Sequence, residues 1–403
     1  MKRENIVVGL DIGTTKVCAV VGEVLESGLE IRGVGTSVST GLKKGVIVDI
    51  ELTVESIKKA VKEAESVTGL EIKEIYVGIT GAHVKGFESY GAVGVRGREV
   101  EPLDVKRVIE SANAVYVPLD REVLHVIPTG YILDGQNGIR DPVGMAGVRL
   151  EAKVHILTGS VSSIQNLLKC CEKADLEVIE VVFEPIASAA AILTEEEKEI
   201  GVAIVDIGGG TTDIILYKDG WPQNSSVIAI GGNHFTNDIA VGMRIPFSEA
   251  ERIKKSFGCA VTSMVKDDDQ IAFLQAGQER RTQRRNLSEI IYPRAEELID
   301  VVKSELLSSS GYNIASSGVV LTGGGSLLEG IDRLAEALLG LPVRIGAPED
   351  IQGCKGILNN PMYSTGVGLI LYAYRNELDG SFSENSLMGM FGKIKGWFLG
   401  MLR

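Results

Sequence analysis

The chain has 403 residues, 44% of them hydrophobic, enough to bury more than one core, so two or more domains are expected. Its formal net charge of −13 opposes broad binding to a phosphate backbone, which needs a basic face or stripe, and so argues against a nucleic-acid module. Five cysteines, odd in number and without a C-x-x-C, signal neither a disulfide framework nor a zinc site and read as buried thiols in a reducing cytosol.

The N-terminal apolar stretch 6–10 stops at Asp11, too short for a signal-peptide core, and no apolar run reaches the roughly 20 residues that span a bilayer. The chain is therefore expected neither to be exported nor to cross a membrane. The first element is a strand, Ile6-Val7-Val8-Gly9-Leu10, that turns through Asp11-Ile12-Gly13-Thr14-Thr15-Lys16 into a second apolar, β-branched strand at 17–24. About half a chain later Val202-Ala203-Ile204-Val205 turns through Asp206-Ile207-Gly208-Gly209-Gly210-Thr211-Thr212-Asp213 into a strand at 214–217. Both are glycine-rich hairpins rather than strand-to-helix phosphate loops, and no G-x-x-x-x-G-K-[ST] occurs.

Such hairpins suit a nucleotide, because glycines let backbone N–H groups approach phosphate oxygens and threonine hydroxyls add donors at the same height. Asp11 and Asp206 are placed to hold a hydrated Mg²⁺, an ion that keeps several waters and needs only one or two carboxylates. Lys16 can add a point charge for the β- or γ-phosphate. One copy alone is equally a tight hairpin; the repetition favours the nucleotide. The four histidines, His83, His125, His155 and His234, are too far apart in sequence for a local metal-ligand pair and read as packing or surface residues.

Between the hairpins, residues 134–147 carry Asp-Gly, Asn-Gly and Asp-Pro pairs, which are turn chemistry in any protein. Glu184-Pro185 opens a helix with small side chains at 187–191, and Asn360-Pro361 opens another at 362–374 with Ser364, Thr365, Gly366 and Gly368. Small faces allow close crossing, so the pair is either a hinge between two halves or two ordinary core helices. Asp267-Asp268-Asp269 followed by Arg280-Arg281 and Arg284-Arg285 is a charge switch that ordinarily marks a solvated face. A third cluster, Thr322-Gly323-Gly324-Gly325-Ser326, follows the buried strand 319–321 and precedes a helical run expected over 327–339. It lacks the G-x-G-x-x-G spacing of a dinucleotide turn and is read as a loop under adenine and ribose.

Residues 376–386 are polar and read as a flexible linker. Residues 387–403 contain no acid, and on a helix Leu387, Met390, Phe391, Ile394, Trp397, Phe398, Met401 and Leu402 fall within an arc of roughly 140°. Gly389, Gly392, Gly396 and Gly400 lie opposite, and only Lys395 borders the arc, where its stem can snorkel. Each glycine costs about 0.8–1.0 kcal/mol relative to alanine, so this segment folds poorly in water and is expected to fold on anionic membrane lipid. The other reading is a helix docked on the protein's own core.

The order of Asp-Ile-Gly hairpin, Glu-Pro helix, Asp-Ile-Gly-Gly-Gly hairpin, Gly-Gly-Gly loop and Asn-Pro helix resembles the actin, hexokinase and heat-shock chaperone superfamily, over residues 6–374. The resemblance implies an α/β fold of two ribonuclease-H-like lobes with ATP and Mg²⁺ between them. It also implies that Gly231, Gly232 and Asn233 add backbone near the phosphates, and that Glu251, Lys254 and Lys255 hold the ribose and adenine. The run 134–147 and Ile230-Gly231-Gly232-Asn233-His234-Phe235-Thr236-Asn237-Asp238-Ile239 are similar to the FtsA family of bacterial cell-division proteins.

That likeness implies a first core lobe from residues 1–85, 159–197 and 361–378, and a relocated small subdomain at 86–158. It places a second core lobe at 198–232 with 302–360, a small subdomain at 233–301, a linker at 379–386 and a membrane-targeting helix at 387–403. It further implies self-assembly into protofilaments through the two small subdomains, and capture of the C-terminal tail of FtsZ by the 233–301 unit, with Arg285 and Arg294 as contacts. Other divisome partners, and a peripheral location on the cytoplasmic face of the inner membrane at the division septum, follow from the same likeness. Glu184 occupies the position that orients the attacking water in related ATPases, with slow hydrolysis at most. A small-molecule kinase and a pilus-assembly homologue are the competing readings; a chaperone is disfavoured because no peptide-binding β-domain follows the cleft.

Overall fold

The computed structural model describes residues 5–378 apart from 98, 309, 310, 350, 355 and 358; the expected linker at 379–386 and helix at 387–403 lie outside the described residues. The chain opens with β1 (Ile6–Ile12), β2 (Lys16–Leu25) and β3 (Gly28–Val38), an antiparallel meander. A short hairpin, β4 (Leu42–Lys43) and β5 (Val46–Ile47), precedes α1 (Ile50–Thr68), and β6 (Glu74–Ile79) then returns parallel to β1. The start of α1 is fixed by Asp49, whose side chain accepts from the Leu52 N–H, and its end by Gly69 in the left-handed region at φ 70°.

A separate unit follows: β7 (Lys85–Gly94), α2 (Pro102–Asn113), β8 (Arg121–Leu133), β9 (Gln136–Ile139) and β10 (Arg149–Ser160), with sheet order β7-β10-β8-β9 and a core of its own. α3 (Val161–Lys173) leads to β11 (Glu177–Phe183), parallel to β6, and the first lobe ends with α4 (Glu184–Ile192) and α5 (Glu195–Ile200).

The second lobe repeats the plan. β12 (Val202–Ile207), β13 (Thr212–Lys218) and β14 (Trp221–Ile228) form the meander. A mostly helical unit comes next, comprising α6 (Gly232–Met243), α7 (Phe247–Phe257), the hairpin β15 (Gln270–Gln275) and β16 (Gln278–Gln283), and the long α8 (Arg284–Ser308). After α9 (Gly311–Ile314), β17 (Val319–Thr322) pairs parallel with β12; α10 (Ile331–Leu339) precedes β18 (Val343–Ile345), parallel to β17. The edge strand β19 (Gln352–Gly353) rejoins the first sheet and α11 (Ser364–Leu378) closes the described chain.

The two sheets therefore run β11-β6-β1-β2-β3-β19 and β18-β17-β12-β13-β14, the same order of three antiparallel and two parallel strands apart from the short added edge. β1 and β12 are central, and their near-continuous apolar sequences are buried almost throughout, as strands covered on both faces require. A shared core joins the lobes: Val7 and Val20 of the first sheet, Val202 and Ile204 of the second, and α4 and α11 between them. The β7–β10 sheet also leans on the second lobe, where His155 Nε2 on β10 lies 3.3 Å from Ser225 Oγ on β14.

One sequence expectation is corrected. The helical run expected over 327–339 is broken: Gly324–Leu327 forms a 3₁₀ turn and α10 begins only at Ile331. Gly330 separates them at φ 78°, a left-handed conformation that interrupts the helical path.

Candidate functional site

The two Asp-Ile-Gly hairpins have matching local geometry. In the first, the Gly13 N–H donates to Lys16 O at 3.0 Å; in the second, the Gly208 N–H donates to Thr211 O at 2.9 Å. Their registers agree as well, with Asp11 opposite Cys18 and Asp206 opposite Asp213. The hairpin tips meet between the lobes. A Cβ on Gly209 would stand 1.9 Å from Thr15 Oγ1, and one on Gly210 would stand 2.7 Å from Thr14 Oγ1, so only glycine permits this approach. Thr14, Thr15, Gly209 and Gly210 thus face one another where the two hairpins touch.

Behind the tips, Asp11, Glu184, Asp206 and Asp213 are all buried. Burial raises the Asp11 carboxyl, with Lys16 pulling it back. Burial also pushes Asp206 up to about 6, against a hydrogen bond from Ser188 at 2.8 Å, and Asp213 up to about 8, against one from Thr80 at 2.6 Å. Glu184 is raised well above the carboxylate range, first by burial and then by the charges of Asp11, Asp213 and Asp206. Acids arranged to repel one another in a dry pocket fit a divalent cation that would relieve them. Among the described residues no three His, Cys, Asp or Glu side chains converge to chelate a metal directly.

Lys16 reaches across to α11's approach: its Nζ donates to Met362 O at 2.6 Å and sits 4.2 Å from the centre of the Tyr363 ring. α4 and α11 cross closely here. A Cβ on Gly368 would stand 1.9 Å from Ala187 O, and Ser188 Oγ lies 3.1 Å from Thr365 Oγ1. The Glu184 side chain lies against Gly78 of β6, whose Cβ would meet its Cγ at 2.9 Å. Glu184 is therefore both the first residue of α4 and a member of the acid cluster.

The remaining loops pack on the second hairpin. The Gly232 N–H donates to Gly208 O and the Asn233 N–H to Gly209 O, each at 2.8 Å, while Thr212 Oγ1 donates to Ile230 O at 2.8 Å. Lys254 Nζ ties α7 to this turn through Gly232 O at 2.9 Å and Thr236 Oγ1 at 2.7 Å, and pairs with Glu251 at 2.7 Å. Lys255, more exposed, pairs with the same Glu251 at 3.1 Å. Gly323 adopts φ 79° beside Asp206, whose Oδ1 would be 2.2 Å from any Cβ placed there, and a Cβ on Gly325 would stand 2.3 Å from Ile207 Cγ2. Gly324 has open space around its Cβ position. Every nucleotide-site residue expected from the sequence thus sits on the two hairpins or on elements bonded to or packed against them.

A sequence model described as "Cell division protein FtsA" matches residues 203–368, and one described as "SHS2 domain inserted in FTSA" matches residues 81–158, which span the β7–β10 sheet. The cell division protein FtsA of Pseudomonas aeruginosa is 46% identical over 379 residues, 93% of this chain and 91% of that protein. The chain belongs to the FtsA family. The FtsA of Escherichia coli K12 is 40% identical over 93% of this chain and 92% of its own length. Among solved structures, the PilM-PilN type IV pilus biogenesis complex aligns with TM-score 0.66 at 18% identity, over 91% of this chain and 98% of that one. MreB5 of Spiroplasma citri bound to ADP aligns with TM-score 0.55 at 17% identity, over 93% and 98%. These likenesses establish the actin-like fold, with the small unit that FtsA proteins insert, and the family identity decides against the kinase and pilus readings.

Two FtsA-family expectations meet a different setting. Arg294 is bound by Asp238 at 2.6 and 3.2 Å and also pairs with Glu297, and Arg285 pairs with Asp267 at 2.7 Å. Neither is an idle cation. Two of the histidines pack in the interior: His125 accepts from the Phe183 N–H at 3.0 Å, and burial holds both His125 and His155 down to about 4. Four of the cysteines are buried and Cys354 is half-buried. Sequence reasoning missed Asp213 and Thr80 as site residues. Asp213 carried a signal, as the acid ending the second turn motif, whereas Thr80 has no local pattern around it. Among the described residues no helix is long and apolar enough to cross a membrane.

Proposed function

We propose that this chain is an ATP-dependent membrane tether of the division machinery. ATP and Mg²⁺ bind between the lobes, and the closed body polymerises through its two small subdomains on the cytoplasmic face of the inner membrane. The segment 387–403 enters anionic lipid, and the 233–301 unit holds the C-terminal tail of FtsZ at the division septum, where later divisome proteins gather. The observation that carries this reading is the contact of two matched glycine-threonine turns over a buried acid cluster.

The Thr14, Thr15 and Thr211 hydroxyls and the amides of Gly209 and Gly210 cradle the phosphates, while Gly13, Gly208 and Thr212, whose donors are spent within and beside the hairpins, shape the turns, with Gly231, Gly232 and Asn233 backing them. Gly323, Gly324 and Gly325 pass beneath the adenosine, and Glu251, Lys254 and Lys255 hold its ribose and adenine. Asp11 and Asp206 hold Mg²⁺ through water. That ion supplies charge neutralisation between phosphate oxygens. Support for a nucleotide also comes from fold neighbours, since MreB 5 of Spiroplasma citri has been solved with ADP and with AMPPNP. Glu184 is placed to orient water, with slow turnover at most. ATP acts as a conformational ligand, shifting polymerisation only by its differential affinity for the closed form.

Membrane grip rests on Phe391, Ile394, Trp397, Phe398, Met401 and Leu402, with Lys395 near the headgroups. Large apolar side chains contribute about 1.5–3 kcal/mol each, offset in large part by ordering the backbone at about 1–2 kcal/mol per residue. A single copy therefore binds reversibly, and a filament holds by avidity. Electron microscopy of the full chain with ATP on an anionic lipid monolayer tests the whole reading. Filaments are expected with the full chain and none after deletion of 387–403; a bare monolayer with the full chain would sink it.

A further inference from the structure

The β4–β5 hairpin belongs to no motif used above, yet it sits on both phosphate hairpins at once. Its two-residue turn is Lys44-Gly45. The Gly45 N–H donates to Thr14 Oγ1 of the first hairpin at 3.2 Å, and the Lys44 Cα lies 3.0 Å from where a Cβ on Gly210 of the second would stand. Leu42 and Gly45 of the hairpin line one small cavity together with Thr80 and Glu184. The hairpin therefore borders the acid cluster through Glu184 and touches both hairpin tips.

We infer that Lys44 is a contact for the terminal phosphate of a nucleoside triphosphate and makes the site prefer triphosphate over diphosphate. This rests on the nucleotide reading given above. A terminal phosphate adds negative charge beside four buried acids, and Lys16 is already bonded to Met362 O and stacked on Tyr363. Lys44 is exposed and makes no ion pair among the described residues. An ammonium on a flexible stem, with three donors, can follow a phosphate oxygen.

The turn itself supports the choice. Lys44 has φ 51° and Gly45 φ 73°, the paired positive values of a type I′ turn, whose first position ordinarily takes Asn, Asp or Gly. Lysine there is conformationally unfavourable. A lysine at an unfavourable turn position whose backbone is seated on both glycine-threonine hairpins points to its charge as the reason.

The preference for Asn gives a test that separates charge from folding. Lys44→Asn should melt at or above the temperature of the parent chain, yet lose ATP affinity by about tenfold or more in competition titrations with a fluorescent nucleotide and Mg²⁺. ADP affinity should change less than about twofold, Lys44→Arg should retain ATP preference, and Lys43→Gln should alter neither nucleotide. Equal losses for ATP and ADP, or unchanged ATP affinity in Lys44→Asn, would overturn the inference. If the parent chain binds neither nucleotide, the underlying nucleotide reading itself fails, an outcome visible before any variant is compared.

Discussion

Asp213 holds in the second hairpin the position that Cys18 holds in the first, directly across from the leading aspartate. That single difference loads the second lobe with an extra buried acid, and the charge of Asp206 adds to the effect of burial in raising its carboxyl to about 8. The consequence for stability has a definite sign. With an ordinary value near 3.8, the unfolded chain loses this proton well before the folded one does. Between about pH 4 and pH 8 the folded state thus binds more protons, and its stability falls as pH rises. Asp213→Asn keeps an oxygen for the Thr80 hydroxyl while removing the titration. In nucleotide-free protein it should flatten the decline of melting temperature between pH 5 and pH 8 and raise the pH 8 value by about 2–4 °C; a profile parallel to the parent's would show that Asp213 is not the group responsible.

At the scale of elements, the crossing of α4 and α11 depends on a missing side chain. Alanine at Gly368 gains about 1 kcal/mol of helix propensity, but its Cβ would lie 1.9 Å from Ala187 O and 2.3 Å from Ala187 C, contacts that only backbone movement can relieve. Overpacking of this kind costs about 1–3 kcal/mol, so Gly368→Ala should be net destabilising in urea titration, and an unchanged or raised midpoint would contradict the close crossing. The same elements show what the sequence makes legible. Both hairpins and both Pro-led helices are visible because their signals are local: a turn's glycines, a first-turn proline, a strand's apolar run. The Thr80 bond to Asp213 and the seating of Lys44-Gly45 on both tips join residues remote in sequence, and no window of neighbouring residues encodes them. The helix expected to start at 327 failed for a related reason: apolar spacing carried through 327–339, while Gly330 at positive φ broke the path.

Across the whole molecule, each lobe carries one inserted unit, but at different points: between β6 and β11 in the first and between β14 and β17 in the second. The second unit bears Arg285 and Arg294, each already neutralised by its own carboxylates. On the proposed role, replacing both with Glu should weaken binding of an FtsZ tail peptide at least about tenfold, measured by fluorescence anisotropy, whereas Asp238→Ala with Glu297→Ala, which together free Arg294, should strengthen it. Unchanged affinity in the double variant would move the tail to another face. The first unit's sheet crosses back to touch the other lobe through His155 and Ser225. Such a strap acts as a gauge, because relative rotation of the lobes must slide or break that contact. Any ligand that grips the strap more firmly in one lobe arrangement must, by thermodynamic reciprocity, alter the affinity of whatever the crevice holds, although the two never meet.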